Sequence, residues 1–170
     1  MPIGEAGYLA TEARYKAEFE ALAPMLEQHG VAVGIQNHCN NQIGSCLGVM
    51  SLIRDYSPEQ FCMVWDPAHN VLAGEIPEQA IDISWSHLRM VNLKNPYWHR
   101  NNGPEAYEAE WKLNWTTGRQ GIAGWPRVVK ALQARDWSGP VCFTAEYSSK
   151  DDLDRYLLDD FEYAKKLFGG

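Results

Sequence analysis

Apolar residues fall along this chain with two periodicities. Four short runs, 31–36 (VAVGIQ), 61–66 (FCMVWD), 88–94 (LRMVNLK) and 141–146 (VCFTAE), are dense in Val, Met, Phe and Trp, and each ends in a polar residue. Runs this short and this rich in β-branched and aromatic residues predict buried strands. Between them the spacing is helical. Glu12–His29 carries Tyr15, Phe19, Leu22 and Leu26 on one face behind Thr11 as a cap, and Asp151–Phe168 carries Leu153, Leu157, Phe161, Ala164 and Phe168. Shorter helices are predicted for Ser45–Asp55, for Pro77–Trp85 with Pro at the favoured first position, and for Trp125–Arg135. Pro24 predicts a kink or break in the first helix, and Gly30 its stop. Met1–Ala10 reads as a lead-in, and Asn95–Gly124 as a long connection containing Trp98, Trp111 and Trp115.

The resulting order, one helix and then four strand–helix units, implies a parallel sheet with right-handed crossovers. Successive side chains of a strand face opposite ways. One face therefore collects Val33, Ile35, Phe61, Met63, Trp65, Val91, Leu93, Val141 and Phe143, suited to lie under helices. The other collects Ala32, Gly34, Cys62, Val64, Leu88, Met90, Cys142 and Thr144, and ends in Gln36, Asp66, Asn92 (with Lys94 beyond it) and Glu146. In a parallel sheet those four ends converge at the carboxyl edge, where barrel enzymes hold their active sites.

Composition narrows the classes. At 170 residues and 45% apolar content the whole chain, 1–170, reads as a single domain with one core. A formal net charge of −7 argues against nucleic-acid and anionic-membrane surfaces. No apolar stretch reaches the length of a membrane span, and the first residues lack a basic segment followed by an apolar one. Cys39, Cys46, Cys62 and Cys142 show no Cys-x-x-Cys spacing, so the expectation is a reduced, cytoplasmic protein.

Several segments resemble the xylose-isomerase-like sugar isomerases and epimerases, often called sugar phosphate isomerases/epimerases. They are GVAVGIQNH at 30–38, VWDPAHNVLAG at 64–74 with the D-P-x-H pattern, LRMVNLKN at 88–95 beside the family's H-V-H-L-K-D strand, and the Gly-containing turn, helix and strand end of 118–146. The resemblance spans roughly 12–168. It implies a TIM-type (β/α) barrel. A full barrel of that type takes about 250 residues, so this chain reads as a parallel (β/α) half-barrel: the last four strands, each followed by a helix, preceded by one helix. A half-barrel leaves sheet edges open. The readings are a homodimer, a missing N-terminal half, or an open sheet covered by its own long loop, with self-association favoured.

The resemblance also implies a divalent metal held by Glu, Asp, His and Glu, one from each of the last four strands. In this sequence those positions are Gln36, Asp66, Asn92 and Glu146, so two match and two depart. Gln36 removes a carboxylate that in the family also serves as one of two acid/base groups, and an amide cannot take a proton at neutral pH. The remaining oxygen donors lean toward Mn²⁺, Mg²⁺ or Ca²⁺, against a metal-free site held by hydrogen bonds. His69 resembles the family's substrate-contacting histidine, against a loop-packing role. His38 stands open between a solvated role and a substrate contact. Lys94 reads either as an oxyanion-binding or basic group, or as the ion-pair partner of Glu146 or Asp66. Trp98 and its neighbours offer flat faces to a sugar ring or simply fill the loop. Gly118-Arg119-Gln120-Gly121 reads as a turn before a helix. The functional expectation is a sugar or polyol isomerase/epimerase with Glu146 and Lys94 as catalytic groups. The alternative is a carbohydrate-binding half-barrel that has lost the chemistry.

Overall fold

The computed structural model describes residues 6–170. Met1–Glu5, half of the expected lead-in and the segment read for a leader, lie outside the described residues. Helix α1 (Tyr8–His29) starts earlier than its periodicity suggested, so Thr11 lies inside it and its hydroxyl donates to the Gly7 carbonyl at 2.8 Å. Pro24 does not split it. Pro24 and Glu20, whose carbonyl loses its partner, both face solvent, while Tyr15, Phe19, Ala23 and Leu26 hold the buried face on either side. Gly30 ends α1 in the left-handed region at φ 61°.

Four strands, β1 (Val33–Gln36), β2 (Phe61–Trp65), β3 (Leu88–Leu93) and β6 (Val141–Phe143), pair in parallel in the order β1-β2-β3-β6. Helices α2 (Cys46–Ile53), α4 (Pro77–Ser84), α5 (Trp125–Gln133) and α6 (Leu153–Phe168) follow them in the chain. The core joins Ile35, Phe61, Met63, Trp65, Val91 and Leu93 of the strands to Phe19, Val49, Ile53, Ile81, Val128 and Leu132 of the helices. Strand parity is thus as expected, with one correction. Leu88 belongs to the core face, because the β2–β3 register jumps from Met63↔Leu88 to Val64↔Met90. The extra residue at Arg89 forms a bulge and resets the alternation. Arg89 points outward to Glu59, 2.6 Å away.

Three elements departed from the strand–helix pattern. Asp66 lies just past β2 and starts a short helix, α3 (Pro67–Leu72), in a segment where the sequence pattern predicts no helix. The connection after β3 is mostly an antiparallel hairpin of β4 (Asn95–Arg100) and β5 (Trp111–Thr116). The last strand stops at Phe143, three residues short of Glu146, and Ala145 sits in the left-handed region at φ 50° as the chain turns away. Among the described residues β1 and β6 each pair on one side only, so the sheet is open and its inner face at Gly34, Val64 and Met90 is only partly covered.

The chain beyond β6 is fixed by Asp160. This buried carboxylate of α6 accepts from the Gly118 amide at 2.7 Å and from the Tyr147 hydroxyl at 2.9 Å, joining α6, the turn after the hairpin and the segment carrying Glu146. Gly118 and Gly121 therefore serve a structural turn, which Asn95 reinforces by donating to the Gly118 carbonyl and accepting from the Ala123 amide, both at 2.8 Å. Asp160→Ala leaves two donors without acceptors, and we expect it to destabilise the chain by about 3 kcal/mol. Urea unfolding measures this, and a loss below about 0.5 kcal/mol would contradict the assignment.

Candidate functional site

Asp66 is the centre of the carboxyl-edge site. The β2–α3 junction places it at the N-cap, where Pro67 cannot donate and the next amides lack partners. Its Oδ1 accepts from the amides of Ala68 (3.0 Å) and His69 (3.3 Å). Its Oδ2 accepts from the Gln36 side-chain amide at 2.9 Å and faces the Lys94 ammonium at 3.5 Å. Asp66 is wholly buried. Burial pushes its pKa up from 3.8 to about 6, against the opposing pull of Lys94, the two amides and Gln36.

Lys94, one residue past β3, is also buried, and its ammonium has three neighbours. It lies 2.7 Å from Glu146 Oε2, 3.5 Å from Asp66 Oδ2 and 4.5 Å from the centre of the Trp115 ring. Glu146 reaches it from the turn after β6 and keeps 43% of its side chain in water. A cation between two carboxylates and over an indole face is strongly localised.

The loop after β1 adds His38 and Cys39 beside His69 of α3. The Cys39 amide donates to His69 Nδ1 at 3.1 Å, so the neutral ring carries its proton on Nε2. That Nε2 is buried without a hydrogen-bond partner, 3.6 Å from Asp66 Oδ2. Burial lowers the His69 pKa to about 3, with Lys94 and His38 adding to the shift, so the ring is neutral and does not form an ion pair with Asp66. The His38 ring lies 3.8 Å from that of His69, and Trp115 meets His69 edge-on at 5.3 Å.

Gln36, Asp66, Lys94 and Glu146 are thus linked by direct contacts, with His69 against Asp66 and His38 against His69. Asn92 is buried on the same face of β3, and its Oδ1 has no hydrogen-bond partner. Trp98 stands 50% exposed on β4, whereas Trp115 of β5 supplies the aromatic wall against Lys94 and His69. Sequence reasoning did not single out Cys39 or Trp115. Cys39 follows His38 in an aperiodic loop, and only the hairpin register decides which tryptophan turns inward. A groove of about 840 Å³ lies beyond Trp115 between β5 and α6 and includes none of Asp66, Lys94 or Glu146. The candidate site is placed at Asp66 because the buried, unpartnered polar atoms of His69 and Asn92 lie there.

The chain belongs to the xylose isomerase-like TIM barrel family, whose model matches residues 3–167. Among solved structures it is similar to a D-psicose 3-epimerase with D-tagatose from Clostridium cellulolyticum H10, at TM-score 0.70 and 12% identity over 98% of this chain and 61% of that one. It is also similar to a probable 3-DHS dehydratase involved in petrobactin synthesis from Bacillus anthracis, at TM-score 0.66 and 12% identity over 96% of this chain and 58% of that one. A xylose isomerase-like TIM barrel protein from Mycobacterium smegmatis, in complex with magnesium, matches at TM-score 0.64 and 14% identity over 92% of this chain and 51% of that one. The chain thus spans little more than half the length of these structures. No curated protein matches it. No helix of the described residues is long and apolar enough to cross a membrane.

The donor set suits a hard divalent ion poorly. Gln36 turns its NH₂, not its oxygen, toward Asp66, and the Lys94 ammonium already faces both carboxylates and offsets one of their two charges. Among the four positions that the resemblance implies as ligands, Asn92 Oδ1 is the buried side-chain acceptor without a partner. A second cation there has to displace Lys94 from a buried position.

The raised pKa of Asp66 has a measurable consequence. Between about pH 4 and pH 6 the folded chain binds more protons at Asp66 than the unfolded chain does, so its contribution to stability falls as pH rises through that window and is level above it. In denaturant titrations across pH 4–8, Asp66→Asn is expected to remove this part of the slope. An unchanged slope would show that Asp66 titrates normally.

Proposed function

We propose that the carboxyl-edge site is an isomerase-type site for a sugar or polyol carbonyl, in which Lys94 supplies the positive charge that a metal would otherwise provide. The observation that carries this reading is the Lys94 ammonium held between Asp66 and Glu146 over Trp115. In this reading the substrate's carbonyl oxygen accepts a hydrogen bond from Lys94, displacing the Glu146 carboxylate. Glu146, half in water and freed from its ion pair, takes the proton from the carbon beside the carbonyl. The C–H electron pair becomes the C=C bond of an enediolate, and Lys94 stabilises the negative charge left on oxygen. Asn92 Oδ1, buried without a partner, is an acceptor for a substrate hydroxyl, with His69, Gln36, His38 and Trp98 as further groups for its polar and ring contacts.

The single available carboxylate favours one product class. Epimerisation needs a second group to return the proton on the opposite face. Gln36 stands where the family resemblance places that group, and an amide cannot serve. Glu146 can instead return the proton on the same face to the neighbouring carbon, as a hydroxyl proton passes between the two oxygens, which is an aldose–ketose isomerisation. A partner completing the barrel, either a second copy or an N-terminal half, would cover the open inner face.

A second reading is a sugar-binding module without turnover, favoured by the engagement of Asp66 with three hydrogen-bond donors and Lys94. Incubating the protein with ketoses and aldoses in D₂O separates the two. Isomerisation predicts deuterium at the carbon beside the carbonyl, lost in Glu146→Gln and reduced about 100-fold in Lys94→Met, with added Mg²⁺ or Mn²⁺ changing the rate less than about twofold, the unassisted-cation expectation. No exchange with any sugar, together with retained sugar binding, would leave the binding module.

A further inference from the structure

We propose that His38, Cys39 and His69 form a three-ligand site for zinc, which adjoins the Lys94–carboxylate cluster through the His69–Asp66 contact. One ligand atom from each of the three residues lies within 4.8 Å of the others. Cys39 Sγ is 3.1 Å from His69 Nδ1, and the two imidazole rings are 3.8 Å apart. Two nitrogens and a thiolate are the soft, borderline donors that select zinc over the hard ions favoured by oxygen.

The surrounding hydrogen bonds orient both rings as ligands. His38 Nδ1 is 2.6 Å from the Cys39 carbonyl, which can only accept, so Nδ1 carries the proton and Nε2 keeps its lone pair. His69 Nε2–H faces the Asp66 carboxylate at 3.6 Å, and its Nδ1 lone pair faces Cys39. A carboxylate behind a histidine whose other nitrogen meets a metal is a recurrent way of fixing the ring and raising its basicity. It also explains why the His69 Nε2–H is buried without a full hydrogen bond: a slight rotation toward Asp66 completes one.

Tetrahedral zinc brings such ligand atoms to roughly 3.5 Å of one another. The contraction falls on the loop carrying His38 and Cys39, both only partly buried, and the ion replaces the Cys39 amide at His69 Nδ1. On binding, the Cys39 thiol loses its proton to solvent and its sulfur forms the metal bond, while both imidazoles bind neutral. One proton is therefore released per ion. The same three residues with Asp66 also have the order nucleophile, base and orienting carboxylate. A thiolate–imidazolium pair, however, would place a second buried cation close to Lys94, and burial drives Cys39 up and His69 down. Zinc binding needs no imidazolium.

The test uses the reduced full chain, titrated with Zn²⁺ and, as a spectroscopic probe, Co²⁺. The expected result is one ion per chain, one proton released, and a thiolate-to-cobalt absorption band. Cys39→Ser should abolish the band and weaken Zn²⁺ at least 10-fold, His38→Gln should weaken it comparably, and Cys62→Ser should leave both unchanged, with circular dichroism confirming folding of each variant. Absence of saturable binding, binding unaltered in Cys39→Ser, or binding lost in Glu146→Gln but kept in Cys39→Ser would overturn the assignment. These readouts involve no sugar, so they stand or fall apart from the isomerase reading.

Discussion

A carboxylate removed from water persists only where enough donors replace the lost hydration. Asp66 satisfies that condition by drawing on three consecutive strand units of the sheet. Its own unit supplies the two amides of α3, the preceding strand supplies Gln36, and the following strand supplies Lys94. The demands of one side chain thus set the start of α3, the orientation of Gln36 and the position of Lys94. Glu146 and Trp115 are placed in turn by the ammonium that Asp66 attracts. The segments carrying those two residues depend on a second buried carboxylate, Asp160, which ties α6 to the Gly118 turn and to Tyr147.

Much of this was legible in the sequence because strands and helices impose periods. The four parallel strands, the core face and the meeting of Gln36, Asp66 and Lys94 at one edge follow from alternation. What was missed lies where no period operates. The bulge at Arg89 shifts Leu88 to the core by inserting a single residue into the pairing. The hairpin is rich in Trp, Tyr and polar residues that the long connection masked, and its register turns Trp115 inward while Trp98 remains in water. Cys39 meets His69 across 30 positions through an irregular loop. The break expected at Pro24 failed to appear because a proline on the solvent side of a well-buried helix costs only the one bond that water can replace.

Membership of the xylose isomerase-like family accounts for the frame, and two of the four positions that the sequence resemblance implies as metal ligands carry amides here. The charge pattern has altered with them. Oxygen donors and a lysine occupy one side of His69, and nitrogen and sulfur donors occupy the other, with Asp66 in contact with both through Lys94 and the His69 ring. The fold fixes where side chains converge, and the identity of a few of them decides what kind of cation, if any, that convergence can hold.

The hairpin of β4 and β5 is fastened to the rest of the chain near its base. Asn95 binds the Gly118 turn, and the Trp115 backbone exchanges hydrogen bonds with Ser148, whose amide donates to the Trp115 carbonyl at 2.9 Å and whose hydroxyl accepts from its amide at 2.8 Å. The outer part, including Trp98, Tyr107 and Trp111, touches water. Such an insertion can change length and sequence at its tip while the parallel sheet beneath it stays intact. In evolutionary terms it is the segment freest to drift, so related half-barrels could acquire different ligand preferences by exchanging this ribbon alone.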